Sequence, residues 1–129
     1  MLRTFLLFLA LVITSLAWPQ EYTRTLRSPA TVKGFIGGES HDLYVIHAQQ
    51  GQSLMVELSW KVEHDKELGD NHADFDIGGL PGFTQATELK SGRNRKRIVW
   101  SGKVPRTDDY QIVVTGYPSA HYMLKVKIQ

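Results

Sequence analysis

Two clusters in this 129-residue chain hold side chains suited to chemistry. The first runs from Glu63 to Asp76, where Asp70, His72, Asp74 and Asp76 recur at every second position. In an extended backbone alternate residues share a face, so these four would project together. Calcium takes about six to eight oxygens, and Asp70, Asn71, Asp74 and Asp76 could donate several. Zinc would use His64, His72 and a carboxylate. The spacing matches no established ligand motif, and the glycine and terminal glutamate of an EF-hand loop are missing. A second reading is a solvated loop whose last aspartates cap the turn into Phe75. The metal expectation therefore rests on Asp70, Asp74 and Asp76, with calcium the one cofactor left open.

The second cluster is Lys90, Arg93, Arg95, Lys96 and Arg97. Cations packed this closely repel one another, which predicts an exposed loop. Planar guanidinium forks suit carboxylates, so Arg93, Arg95, Lys96 and Arg97 are candidate contacts for an anionic partner. A glycan or the acidic cleft of a glycan-cleaving enzyme would qualify. Nucleic acid is not expected: 15 Lys+Arg stand against 13 Asp+Glu, and no aromatic interleaves the run. Trp60 and Trp100 fall on the apolar sides of alternating runs and read as core. Phe83 and Tyr117 sit in loops and read as exposed contact residues.

Catalytic signatures are missing. The chain has no Gly-x-Ser-x-Gly elbow, no phosphate-cradling glycine loop and no His-Glu-x-x-His helix. Its lack of cysteine excludes a thiol nucleophile, a cysteine zinc site and disulfide staples. His41-Asp42 and His64-Asp65 are sequence neighbours, which on a strand face opposite ways and form no dyad. The chain reads as non-catalytic.

The elements that must position these groups begin after a leader. Arg3, the apolar run from Phe5 to Ile13 and Ser15-Leu16-Ala17 make a signal peptide with cleavage after Ala17. The run is about half the length that spans a bilayer, so no membrane anchor is expected and the product is periplasmic or secreted. Residues 18–129 then form a single domain, with 42% hydrophobic and 22% charged residues overall.

Period-two alternation dominates that domain. Leu54, Val56, Leu58, Trp60 and Val62 alternate with mostly polar residues, and Tyr122, Leu124, Val126 and Ile128 do the same. Tyr110 to Thr115 is apolar on both sides and reads as a doubly covered central strand. Ala30–Ile36, His41–Ala48, Phe75–Gly78 and Ile98–Val104 add others, with Tyr22–Arg27 a candidate edge. Gly37-Gly38, Gln49 to Gln52, Pro105 to Asp109 and Gly116 to Ser119 supply turns. Glu63–Ala73 and Leu80–Arg97 read as two long loops. The fold class is all-β: one antiparallel sandwich of about seven or eight strands.

The order of these pieces resembles the bacterial pre-peptidase C-terminal domain family and, within it, the periplasmic inhibitors of goose-type lysozyme. The resemblance is carried by His41-Asp42-Leu43-Tyr44-Val45, Gly51-Gln52-Ser53-Leu54-Met55-Val56, Ala73-Asp74-Phe75-Asp76-Ile77 and Trp100-Ser101-Gly102-Lys103-Val104-Pro105. Asp109-Tyr110-Gln111-Ile112-Val113-Val114 and Tyr122-Met123-Leu124-Lys125-Val126 complete it. It spans about Val32 to Ile128. It implies a jelly-roll-like sandwich without catalytic machinery. With a signal leading straight into the module, it also implies a free-standing binding protein. The implied partner is a protein, a lysozyme or another cell-wall-cleaving enzyme. The contacts expected for such an inhibitor are the segment of Arg93, Arg95, Lys96 and Arg97 or that of Asp108, Asp109 and Tyr110, with Tyr117 a further candidate by its loop position. The alternative is a free-standing module for a glycan or cell-envelope polymer, stabilised by calcium where Asp70–Asp76 bind it.

Overall fold

The structure, a computed structural model, describes residues 23–80, 87–90 and 94–129. The expected leader over residues 1–17, Phe83 and Arg93 lie outside the described residues. Eleven strands form among them: β1 (Thr23–Leu26), β2 (Ala30–Gly37), β3 (His41–Ala48), β4 (Ser53–Lys61), β5 (His64–Asp65), β6 (Gly69–Asp70), β7 (His72–Gly78), β8 (Thr87–Lys90), β9 (Arg95–Lys103), β10 (Asp108–Tyr117) and β11 (Ser119–Ile128). They build a four-stranded sheet, β1-β3-β10-β7, a five-stranded sheet, β2-β11-β4-β9-β8, and a small β5–β6 hairpin.

Alternation explains both sheets. In β4, Leu54, Val56, Leu58 and Trp60 are buried while Met55 is exposed and Glu57 and Ser59 are partly so. In β11, Ala120, Tyr122, Leu124 and Val126 are buried, and Tyr110, Ile112 and Val114 of β10 meet them from the other sheet. Each aliphatic or aromatic side chain fully buried this way contributes roughly 1.5–3 kcal/mol. Trp60 and Trp100 belong to this interior, Trp100 half-buried.

From β1 to β4, and again from β9 to β11, each strand lies in the opposite sheet from the one before it. The short turns are therefore arches between layers rather than hairpins. Backbone bonds close them: Gly38 N donates to Pro118 O, and Gly51 N to Val104 O. Gly51 has φ +85°, where a side chain would be strained.

Four expectations change. The long loop over Glu63–Ala73 contains the β5–β6 hairpin, whose two-residue strands are too short to show a period. The loop over Leu80–Arg97 gives up Thr87–Lys90 to β8 and Arg95–Arg97 to β9. The β1–β3 pair is parallel, while the other paired strands are antiparallel. β10 is central but covered on one side only, with Val113 half-buried on the outer face.

Candidate binding surface

The most elaborated region is the end of the sandwich where β10 passes to β11. Asn71 holds it together. Its side chain is buried and fully paired: Oδ1 accepts from Glu63 N (2.8 Å), while Nδ2 donates to Lys61 O and Ser119 O (both 3.0 Å). A buried amide satisfied on both sides fixes its surroundings, because leaving any partner unmet would cost a desolvation penalty. One residue thus ties the start of the β5–β6 hairpin to the ends of β4 and β11. At the hairpin tip, Asp65 Oδ1 accepts from Glu67 N (2.8 Å) and Leu68 N (3.0 Å). Those two amides hold its carboxyl below the usual carboxylate range.

Close packing sets the corner itself. A Cβ on Gly116 would lie 2.5 Å from Ile36 Cγ2, so only glycine lets β10 cross β2 here. Around the rigid frame stand three large, exposed apolar side chains: Tyr117 (62% exposed), Phe35 (56%) and Leu68 (51%). Phe35 rests on His121, ring centroids 4.6 Å apart. Exposed aromatics on a stiff base, flanked by Lys61 and Arg95 on paired strands, are the composition of a protein-contact surface.

Beneath this end a polar strut joins the sheets. Tyr122 of β11 donates to the carboxylate of Asp42 on β3 and meets the hydroxyl of Tyr44. Burial first, then the bond to Asp42, push the Tyr122 phenol far above its ordinary value, so it stays protonated. A Cβ on Gly34 would lie 2.5 Å from Tyr122 Cζ and Oη, so β2 must carry glycine where the ring passes. The strut is a structural bridge, with no proton to give at any ordinary pH.

The residues singled out in the sequence do not form one site. Arg95 and Arg97 project from the outer side of β9. Arg95 Nη2 donates to Ser59 Oγ (3.1 Å), and Arg97 Nη1 meets Glu57 Oε1 at 2.9 Å. Lys96 alternates to the other side, opposite Trp60. The expected basic loop is thus a strand, because pairing with β4 and β8 outweighs repulsion between exposed charges. Tyr117 lies at the same end as Arg95. Asp108 and Asp109 start β10, about 30 Å from Tyr117 at about 3.3 Å per residue. There Asp108 meets Arg106 (3.3 Å) and Asp109 meets His47 (2.8 Å), all well exposed.

Tyr110 is a correction. It is fully buried, and its hydroxyl donates to Arg106 O, four residues upstream. That is a tyrosine corner, a device that fixes the entry into a strand and offers a partner no surface.

The acidic run is also divided. Asp74 and Asp76 do share the outer side of β7, but the His72 ring packs edge-on against buried Trp60, centroids 5.2 Å apart, and Asp70 belongs to the hairpin and meets His64 at 2.9 Å. Asp74 and Asp76 each accept from the next backbone N–H, of Phe75 and Ile77. Among the described residues no three His, Asp or Glu side chains group to hold a metal ion. The contribution of Asn71, Phe35 and Leu68 was not visible in the sequence. The only hint was an apolar residue, Phe35, at an alternation position that ought to be polar.

Solved structures share this architecture. A periplasmic inhibitor of g-type lysozyme from Aeromonas hydrophila, PliG, superposes with a TM-score of 0.51 at 23% identity, over 83% of this chain and 96% of that one. PliG from Salmonella Typhimurium gives 0.55 at 16% identity, over 85% and 100%. The pre-peptidase C-terminal domain of a Bacillus anthracis collagenase gives 0.50 at 18%, over 84% and 97%. The fold is theirs. The likeness spans nearly all of each PliG chain and agrees with the resemblance carried by the motifs. No family model matches the chain, and no curated protein matches it.

Proposed function

We propose that this chain is an exported, non-catalytic binding protein that inhibits a lysozyme of the goose type by protein contact. Its contact surface is the β10–β11 end. The observation that carries the reading is the fold shared over almost the full length with two proteins named as inhibitors of g-type lysozyme. The geometry supplies the means. Tyr117, Phe35 and Leu68 project from a frame locked by Asn71, so little order has to be gained on binding. Lys61 and Arg95 flank them, with charge suited to the carboxylates of a glycan-cleaving cleft. The same similarity, together with the expected leader, supports a periplasmic location.

The test is enzymatic. Residues 18–129 at micromolar excess should suppress cell-wall lysis by a goose-type lysozyme. Tyr117→Ala and Phe35→Ala should each weaken that inhibition about tenfold or more, as aromatic anchors do. Lysozyme activity unchanged by the unaltered protein would refute the proposal.

A further inference from the structure

The outer side of the five-stranded sheet carries charge of one sign. Strand register places Lys33 of β2, Lys125 and Lys127 of β11, Lys61 of β4, and Arg95, Arg97 and Lys103 of β9 on that side. Those seven are nearly half of the 15 Lys+Arg in the chain. On the same strands Glu57 is the one acidic side chain facing that way among the described residues, and Arg97 engages it. Lys61 and Arg95 stand directly opposite each other, a like-charge cross-strand pair that opposes sheet formation. A face that only had to be wet would interleave the signs. The six other cations, without a counter-charge among the described residues, point to an anion from outside.

Shape narrows its class. The cations occupy five successive side-chain rows, which at about 6.7 Å per row extend the patch over about 27 Å. Along it lie three shallow furrows of about 240, 260 and 430 Å³. All seven cations line them, together with Met55, Met123 and Gly102. Cationic heads over furrows floored by hydrocarbon suit a chain of sugar rings bearing acidic groups. The ring faces would lie on the apolar floor and the anionic groups would reach the rim. Among the described residues, stacking aromatics spaced along the face, which single-stranded nucleic acid would use, are lacking: Phe35 stands at one end.

We infer that the outer face of the β2-β11-β4-β9-β8 sheet binds an acidic polysaccharide lengthwise, parallel to its strands. The inference rests on this face and stands apart from the inhibitor reading, since Lys103, Lys125 and Lys127 lie away from the β10–β11 end.

The probe is a heparin octasaccharide titrated into residues 18–129 by calorimetry, with neutral dextran of equal length as control. Binding should be clear at about 50 mM salt and at least about tenfold weaker at 200 mM, as counterion release requires. Lys103→Glu, Lys125→Glu and Lys127→Glu together should reduce affinity at least about tenfold, since each removes and reverses an exposed ion contact. Asp74→Ala with Asp76→Ala, on the opposite sheet, should leave it unchanged. If the triple variant fails to fold, Lys125→Gln with Lys127→Gln replaces it, and about a threefold loss is expected. No binding at low salt, equal binding of dextran, or full affinity in the folded variant would overturn the inference. Tighter binding to duplex DNA or phosphatidylglycerol vesicles than to the octasaccharide would also overturn it. Lysozyme inhibition by the same variant should persist, which separates this result from the other proposal.

Discussion

The two outward faces of the sandwich cover one core and differ in nearly everything else. On the five-stranded side, lysine and arginine occupy positions from Lys33 to Lys127 with one carboxylate, Glu57, among them. On the four-stranded side, register places Asp74, Asp76 and Asp109 outward with His41 and His47, and among the described residues of β3, β7 and β10 no lysine or arginine joins them. Between the acids lie half-buried Leu43, Val45 and Val113. The inward positions of both sheets are interchangeable in character because burial demands only apolar volume. The outward ones are free of that demand, so their segregation into basic and acidic sides is not dictated by the core. A formal net charge of +2 hides this, since it averages across both faces.

The most severe way to break the contrast is to damage the core that supports both sides. Gly34→Ala sets a methyl against Tyr122 and drives the ring from Asp42 and Tyr44. Overpacking plus a lost buried bond should cost about 3 kcal/mol in urea unfolding and blur both faces together. Tyr122→Phe removes the bond without the clash, and should cost about 1–2 kcal/mol. If the two variants were equally destabilised, the steric account of Gly34 would fail.

Asn71→Ala comes next. It strips the partners of Glu63 N, Lys61 O and Ser119 O and should cost about 2 kcal/mol. Amide exchange would show the β5–β6 hairpin losing protection while β10 keeps its own. Lysozyme inhibition should fall with it, whereas binding to the basic face should remain.

A smaller effect sharpens the electrostatic side. Lys61→Gln relieves the pair with Arg95 and should raise stability by about 0.5 kcal/mol at low ionic strength. In 1 M salt, where screening acts over about 3 Å, the gain should vanish. A destabilised variant would mean that Lys61 holds the sheet rather than strains it.

The smallest concerns the hairpin tip. Asp65 has its carboxyl pKa lowered by the Glu67 and Leu68 amides, so its contribution is present above the unfolded carboxylate value. It is lost as pH falls through the lower folded value. Amide shifts of Glu67 and Leu68 should move only in that acidic window, and Asp65→Asn, which keeps the acceptor, should abolish the movement.

Much of this was legible in the chain. Alternation at Leu54–Trp60 and Tyr122–Ile128 marks strands because side-chain period is a local property of extended backbone. The interior roles of Trp60 and Trp100 follow from the same pattern. Tyr110 did not follow: sequence places it beside two aspartates, and only folding shows its hydroxyl turned back to Arg106. The stretch Arg95–Arg97 misled for a related reason. Local repulsion argues for a loop, while the partner strands that overrule it lie at Ser59–Lys61 and Leu89–Lys90.

The amino-acid order by itself marked the buried apolar rows of β4 and β11 and that the chain is built of sheets, since both depend on neighbours two positions apart. Only the tertiary structure decided which strands share a sheet. Turns such as Gly37-Gly38 and Gly116–Ser119 cross between layers, so adjacent strands part company and distant ones meet. Lys33 and Lys125 stand on one surface because β2 pairs with β11 across most of the chain. Charge acts through space over distances that no sequence period encodes, and so the basic face exists only in the fold.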